Sequence, residues 1–280
     1  MDNMKMEDFG DAEQSMFNPK PAGNKFLFSP YGTKNSAAFK KEGGIILSPS
    51  GISKFFTNPK EWYEDRTGIP TFDGNTNTVL GNAIHAYIES VFAGTPITIE
   101  EIEFWIDEKY GMNPKVVKQD VLKDFPNMAR SWVNNFYKPL MQIPEMIEVE
   151  MEIIEHDADG LKIGTFGTAD AVYVEERTLV DWKTCGRKPN KIGDYKYQLM
   201  QYARALKKKG VEIEYIQIIY IQRPLKSGVS NIHMFKQKIT PQDWISAEYY
   251  AELMVNTLLL VHKNPLTKDL VFRDNPIALY

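Results

Sequence analysis

Between Pro139 and Pro144 the spacing of apolar residues changes from about 3.6 to 2. Upstream the pattern is helical. Ser48-Pro49 reads as the start of a helix that buries Ile52, Phe55 and Phe56. Asn58-Pro59 interrupts it, and Lys60 to Arg66 resumes it with Trp62 and Tyr63. Thr67 to Asn75 reads as a loop. Thr78 to Phe92 places Val79, Leu80, Ala83, Ile84, Tyr87 and Ile88 on one helical side and stops at Gly94, and two more helices follow over 98–110 and 115–138. Downstream the residues alternate. Strands are expected at Met146 to Glu155, Leu161 to Val174 and Thr178 to Thr184, then a helix from Gly193 to Lys209. Strands at Glu214 to Gln222 and Asn231 to Ile239 follow, and a last helix opens at Thr240-Pro241. Helices first, then β-β-β-α-β-β-α, imply an α+β fold with a mixed sheet.

The expected organisation is a loosely ordered segment over 1–47 and a single domain over 48–280. That domain has a mainly helical part (48–142), a sheet and helix (143–240), and a C-terminal helix and tail (241–280). The lone cysteine, Cys185, excludes an intramolecular disulfide and a four-thiolate metal or iron–sulphur site within one chain. No apolar run reaches the ~20 residues needed to cross a bilayer. The first residues resemble neither a secretory nor a transit peptide, so a cytoplasmic location is expected.

Chemistry concentrates in two strand segments, Gly167-Thr168-Ala169-Asp170-Ala171-Val172 and Leu179-Val180-Asp181-Trp182-Lys183-Thr184. Alternation puts Asp181 and Lys183 on one face, and Val180 and Trp182 on the other. A turn centred between Glu175 and Glu176 sets Asp170 directly opposite Asp181, on the same face. Two carboxylates so close call for positive charge between them. A divalent cation with oxygen ligands supplies it, and Lys183 would attend a water bound there. The plainer reading is an Asp–Lys pair on a solvated sheet.

Two helices add to this. The helix over 78–92 carries Gly81-x-x-x-His85, although a histidine among apolar neighbours is more often a core residue than a ligand. The helix after the third strand carries Gln198-x-x-x-Tyr202, on one face beside Tyr195. From Lys183 to Lys209 nine Lys/Arg stand against one acid, a local +8 on a chain of net −4. Such a strip suits an anion, or is a solvated helix face. Phe55, Phe56, Trp62 and Tyr63 are either core or faces for unpaired bases.

The order Gly-x-x-x-His, Gly-x-x-Asp, Asp-x-Lys-Thr and Gln-x-x-x-Tyr, with the leading Ser48-Pro-Ser-Gly-Ile-Ser-Lys-Phe-Phe segment, resembles the RecB-type nucleases of the PD-(D/E)xK superfamily over about 48–240. The resemblance implies that His85, Asp170, Asp181 and the Trp182 backbone carbonyl bind Mg²⁺ or Mn²⁺. It makes Asp170, Asp181 and Lys183 catalytic, with Lys183 assisting the attacking water. Gln198 and Tyr202 would support the lysine and contact DNA, and an acid on the first strand would join, Glu148, Glu150 and Glu152 being equivalent choices. Some relatives bind an iron–sulphur cluster through four cysteines; with Asn58-Pro59 at the place of one of them, this chain resembles a cluster-free branch of phage or bacterial type. The implied activity is a metal-dependent DNA exonuclease acting on ends or single strands in recombination, repair or processing, in the cytoplasm (the host's, if viral). No membrane partner is expected; a helicase or recombinase partner is. Arg187, Lys188, Lys191 and Lys196 would track the DNA backbone. The alternatives are a structure-specific endonuclease, an inactive nucleic-acid-binding module on the same fold, and a hydrolase of another phosphate ester.

Overall fold

A computed structural model describes residues 27, 34–67, 74–140, 142–190, 192–193 and 195–272. The chain runs α1 (Lys34–Lys41), β1 (Ile45–Leu47), a 3-10 turn at Pro49–Gly51, α2 (Ile52–Thr57), α3 (Pro59–Thr67), α4 (Thr76–Phe92), α5 (Ile99–Tyr110) and α6 (Lys118–Trp132). A π turn at Val133–Tyr137 leads into α7 (Lys138–Leu140). Then come β2 (Met146–Ala158), β3 (Leu161–Tyr173), β4 (Thr178–Cys185), α8 (Tyr195–Lys208), β5 (Tyr215–Gln222), β6 (Ile232–Lys238), α9 (Pro241–Lys263) and α10 (Lys268–Val271).

The expected α+β order is observed, and local chemistry explains most of the boundaries. The Asn75 side chain accepts hydrogen bonds from the Asn77 and Thr78 N–H groups and starts α4, and Thr98 and Thr240 form capping boxes that start α5 and α9. The β2–β3 hairpin turns through Asp159 and Gly160, both at positive φ. The β3–β4 turn has no glycine or asparagine at its centre; Arg177 takes the positive φ of 49° and its carbonyl accepts from Glu214 and Tyr215.

The expectation of loose structure up to residue 47 fails for residues 34–47. Ile45–Leu47 pairs in parallel with Ile163–Thr165, so β1 is part of the sheet. The apolar patch Ile45-Ile46-Leu47 marks a segment that docks on the body, but its strand partner is the distant β3, which the local pattern does not name. For residues 1–26 and 28–33 the expected loose order falls outside the described residues, as do 68–73 of the expected loop and the tail beyond 272.

The six-stranded sheet has the order β1-β3-β4-β5-β6, with β2 along β3. β2 pairs antiparallel with β3 over nearly its whole length, leaving β3 one other edge. There β1 takes residues 163–165 and β4 takes 171–173, the latter antiparallel to 178–180. Residues 166–170 have no strand on that side, and β4 beyond Val180 pairs only with β5, in parallel. The sheet therefore forks just below Asp170 and Asp181. Helices α4–α6 pack on one face around Trp182, Trp105 and Trp132. Helix α8 packs on the other around Leu179, Leu199 and Ile218. A third cluster joins β1, α2, α3 and α9.

Candidate active site

The fork brings groups from both faces of the sheet into one place. The pairing of Ala171 with Val180 sets Asp170 and Asp181 at facing register positions, as the turn arithmetic expects, but ladder pairing ends one residue earlier. In the space so opened, Asp170 Oδ2 accepts a 2.6 Å hydrogen bond from the Trp182 N–H. In an extended strand the N–H and C=O of a residue point to the same edge, so the Trp182 carbonyl is turned toward this gap too. The Trp182 ring goes the other way, buried against Phe92, Trp132 and Phe136.

On the α4 side, His85 Nδ1 lies 3.6 Å from Asp170 Oδ1. Burial works against charge on both groups. Their mutual attraction outweighs it, lowering the Asp170 pKa and raising that of His85. On the α8 side, Lys183 Nζ lies 2.7 Å from Asp181 Oδ2. Apart from that ion contact, this buried oxygen has no hydrogen-bond partner. Burial pushes Asp181 up to about 6 against the pull of Lys183. Burial opposes charge on Lys183 as well, but Asp181 and Asp170 prevail and raise it. Gln198 Nε2 donates to Asp181 Oδ1 at 3.4 Å and to Tyr202 Oη at 3.0 Å. Both Gln198 and Tyr202 are buried, so they stand behind Asp181 and not on an open surface.

Two glycines make this packing possible. A Cβ at Gly167 would come within 2.9 Å of the Tyr202 ring and 3.1 Å of Pro49 Cδ, and one at Gly81 would come within 3.3 Å of Thr184 Oγ1. The Gly-x-x-Asp and Gly-x-x-x-His spacings thus place a close backbone approach beside each functional side chain.

Of the three first-strand acids, Glu148 falls at the register position opposite Asp170, on the β2 side of β3. Its backbone sits at φ 49°, a strained left-handed conformation for a glutamate. It shares a hydrogen bond with Glu89, and burial, with Glu89 and Asp170 adding like charge, pushes it up to about 9. Burial first, and Asp170 after it, raise Glu89 to about 7. Glu150 also lines this concavity, while Glu152 accepts a hydrogen bond from Asn35 elsewhere. Glu89 escapes a sequence reading that stops at Gly81 and His85. The signal is nonetheless present, since 81, 85 and 89 are successive i, i+4 positions on one helical face.

The cavity around these groups measures about 980 Å³ and is lined by Glu89, Glu148, Glu150 and Asp170 with His85 and Lys183. Glu89 and Glu148, raised first by burial and then by neighbouring carboxylates, form with Asp170 and one imidazole a donor set that suits a divalent cation preferring oxygen and nitrogen ligands. Among the described residues, no three His, Cys, Asp or Glu side chains enclose a metal position as they stand. Lys183 and Lys109 bring positive charge to the cavity wall, joined by His85 when protonated.

The basic strip does not survive as one surface. Lys183 enters the site. Lys196 pairs with Asp243 at 2.6 Å. Arg204 is buried between Glu155 and Glu248, Lys207 lies over Trp244, and Lys209 donates to the Glu150 carbonyl. Arg187 and Lys188 are exposed beyond the end of β4, and Lys191 lies outside the described residues. The aromatic cluster of the leading helices is core. Phe55 and Trp62 are fully buried, and Phe56 and Tyr63 pack on them, with Tyr63 stacked on Phe272.

A mixed sheet forking at two facing aspartates, with a lysine two residues beyond the second, matches the Asp…Asp-x-Lys order of a nuclease core. The sequence model of the PD-(D/E)XK nuclease superfamily matches residues 46–259, and the chain belongs to that superfamily. Among solved structures, a protein from Eubacterium rectale provisionally named as an exonuclease overlaps 82% of this chain and 85% of its own, with a TM-score of 0.52 at 14% identity. At that identity the likeness speaks for the fold. A second solved protein, SSO0001, overlaps 79% of this chain and 87% of its own at 14% identity, with a TM-score of 0.28. No curated protein matches the sequence significantly. No helix among the described residues is long and apolar enough to cross a membrane.

Proposed function

We propose that this nuclease hydrolyses DNA phosphodiester bonds with Mg²⁺ or Mn²⁺, as an exonuclease acting on ends or single strands. The observation that supports this reading is the fork itself: Asp170, held by the Trp182 N–H, faces Asp181 there, with His85 against Asp170 and Lys183 against Asp181. Asp170, Asp181, His85 and the Trp182 carbonyl would hold the cation, with Glu148 adjoining from β2. A cation bound there would acidify a water and neutralise charge on the phosphate.

The remaining parts belong to the chain. Lys183 places an ammonium where the nucleophile approaches, fixed by Asp181. Gln198 and Tyr202 hold Asp181 from behind. Trp182 N–H fixes the Asp170 carboxylate. The exposed Arg187 and Lys188 would meet the phosphate backbone outside the cavity. A role in DNA recombination, repair or processing in the cytoplasm, beside a helicase or recombinase, follows from the same reading; the chain's nearness to phage or bacterial enzymes rests on the sequence resemblance.

The test is incubation of the purified protein with end-labelled linear DNA and with circular single strands, with Mn²⁺, with Mg²⁺ and with chelator. Metal-dependent loss of the linear strand while the circle persists is expected. Rapid nicking of the circle would make the protein an endonuclease. No cleavage of any DNA with either metal would overturn the nuclease reading.

A further inference from the structure

Lys183 stands between two cavities. The first is the acidic one already described. The second, of about 780 Å³, lies on the other side and shares Thr78, Lys183 and Tyr195 with the first. Their linings differ in kind. Lys183 is the one charged side chain among the described residues lining the second; the wall is otherwise apolar (Ile52, Ile192), hydroxylic (Ser50, Ser53) and aromatic (Tyr195, Tyr220), with the Gln198 amide already bonded to Asp181 and Tyr202. A cation and a phosphate have their place on the acidic side. The neutral side offers what a heterocyclic base needs: a flat face, apolar walls and hydroxyls for its edge.

Tyr195 lines both. Lys183 Nζ lies 5.4 Å from the centre of its ring, and the Tyr220 ring meets it edge-on with centroids 6.1 Å apart. Both contacts hold the ring in position, yet 39% of the residue is exposed, more than any other aromatic residue of this cavity. The aromatic residues of the leading helices are unavailable for stacking, because they are core.

We infer that the second cavity is a subsite for an unpaired base of the nucleic-acid strand, next to the phosphate held at Lys183, with Tyr195 as its stacking face. The inference rests on the nuclease reading for the class of ligand. It deepens that reading by making the unpaired base, and not the duplex, the recognised form. A cavity of this size is on the ~300–1,000 Å³ scale of small-molecule sites.

The experiment is binding without turnover. In chelator, fluorescence anisotropy compares a labelled hexathymidylate with an abasic hexamer of the same length and charge. Stacking predicts that the wild-type protein prefers the base-bearing strand by at least about fivefold. Tyr195→Ala should bring that ratio close to one, and Tyr195→Phe should keep it. Ser53→Phe, which fills the cavity from the opposite wall, should also abolish the preference, and serves as the test if Tyr195→Ala folds poorly by thermal melting. Equal wild-type affinity for the two strands overturns the subsite, as does a preference that survives both Tyr195→Ala and Ser53→Phe. Failure of the nuclease reading looks different: the base preference would stand while no strand is cut with either metal.

Discussion

The N–H of Trp182 donates a 2.6 Å hydrogen bond to the Asp170 carboxylate, across the point where β3 and β4 cease to pair. One side chain thus replaces a missing rung of the sheet. That substitution opens the fork and fixes the orientation of the carboxylate that shares it with Asp181. On its other edge the Asp181-Trp182-Lys183 segment is held by parallel pairing with Ile218, Ile219 and Tyr220 of β5.

Asp181→Asn keeps shape but removes charge beside Lys183. Cleavage should fall by at least about 100-fold while the melting temperature changes little, and calorimetric Mn²⁺ titration should show weakened binding. Lys183→Ala should lose a similar factor, on the scale of removing one preorganised electrostatic group, with Mn²⁺ binding retained. An Asp181→Asn protein that cuts DNA at the wild-type rate would place the chemistry elsewhere.

Gln198→Ala leaves Asp181 Oδ1 and Tyr202 Oη without their shared donor in a buried setting. A loss of about 1–3 kcal/mol in urea unfolding is expected. Mn²⁺ affinity should drop by roughly 10–100-fold, the usual cost of losing a group that orients a ligand. Gln198→Glu, which puts a carboxylate against Asp181, should be worse than Gln198→Ala in both measurements.

Gly167→Ala tests the close approach of β3 to α8. The new methyl would sit 2.9 Å from the buried Tyr202 ring, with Pro49 on its other side at 3.1 Å, so one of them must move. Overpacking of this kind costs about 1–3 kcal/mol. Activity should fall more than stability explains, since Tyr202 is bonded to Gln198. A crystal structure of the variant with Tyr202 unmoved would contradict this.

Arg204 ties α8 to β2 and α9 through Glu155 and Glu248, and only 3% of its side chain is exposed. Arg204→Met strands the Glu155 carboxylate and should cost about 3–5 kcal/mol. Arg204→Met combined with Glu155→Met should recover most of it in the same unfolding assay, since an apolar pair of similar volume fills the space without charge.

Burial pushes the Cys185 thiol up to about 11. Below that pH the thiol holds its proton and is a poor nucleophile. Alkylation of the native protein by iodoacetamide at pH 8 should therefore be much slower than after unfolding, and should accelerate as pH rises toward 11. Cys185→Ser should retain cleavage.

From residue 48 onward the succession of the main helices and strands, the register that sets Asp170 against Asp181, and the alternation that puts Asp181 and Trp182 on opposite faces were legible in the sequence. Each depends on residues close along the chain: strand period, turn length and helix caps are local properties. That Glu148, of the three first-strand acids, sits opposite Asp170 with a left-handed backbone and beside Glu89, fifty-nine positions earlier in the chain, needed the structure. The fate of the basic strip needed it too. Lys196 finds Asp243, and Arg204 finds Glu155 and Glu248, by contacts that charge counting along the chain cannot foresee. Local sequence sets which way a side chain points; tertiary packing decides what it meets. For that reason Phe55 and Trp62 are core, and Tyr195 is the ring left beside Lys183 and open to solvent.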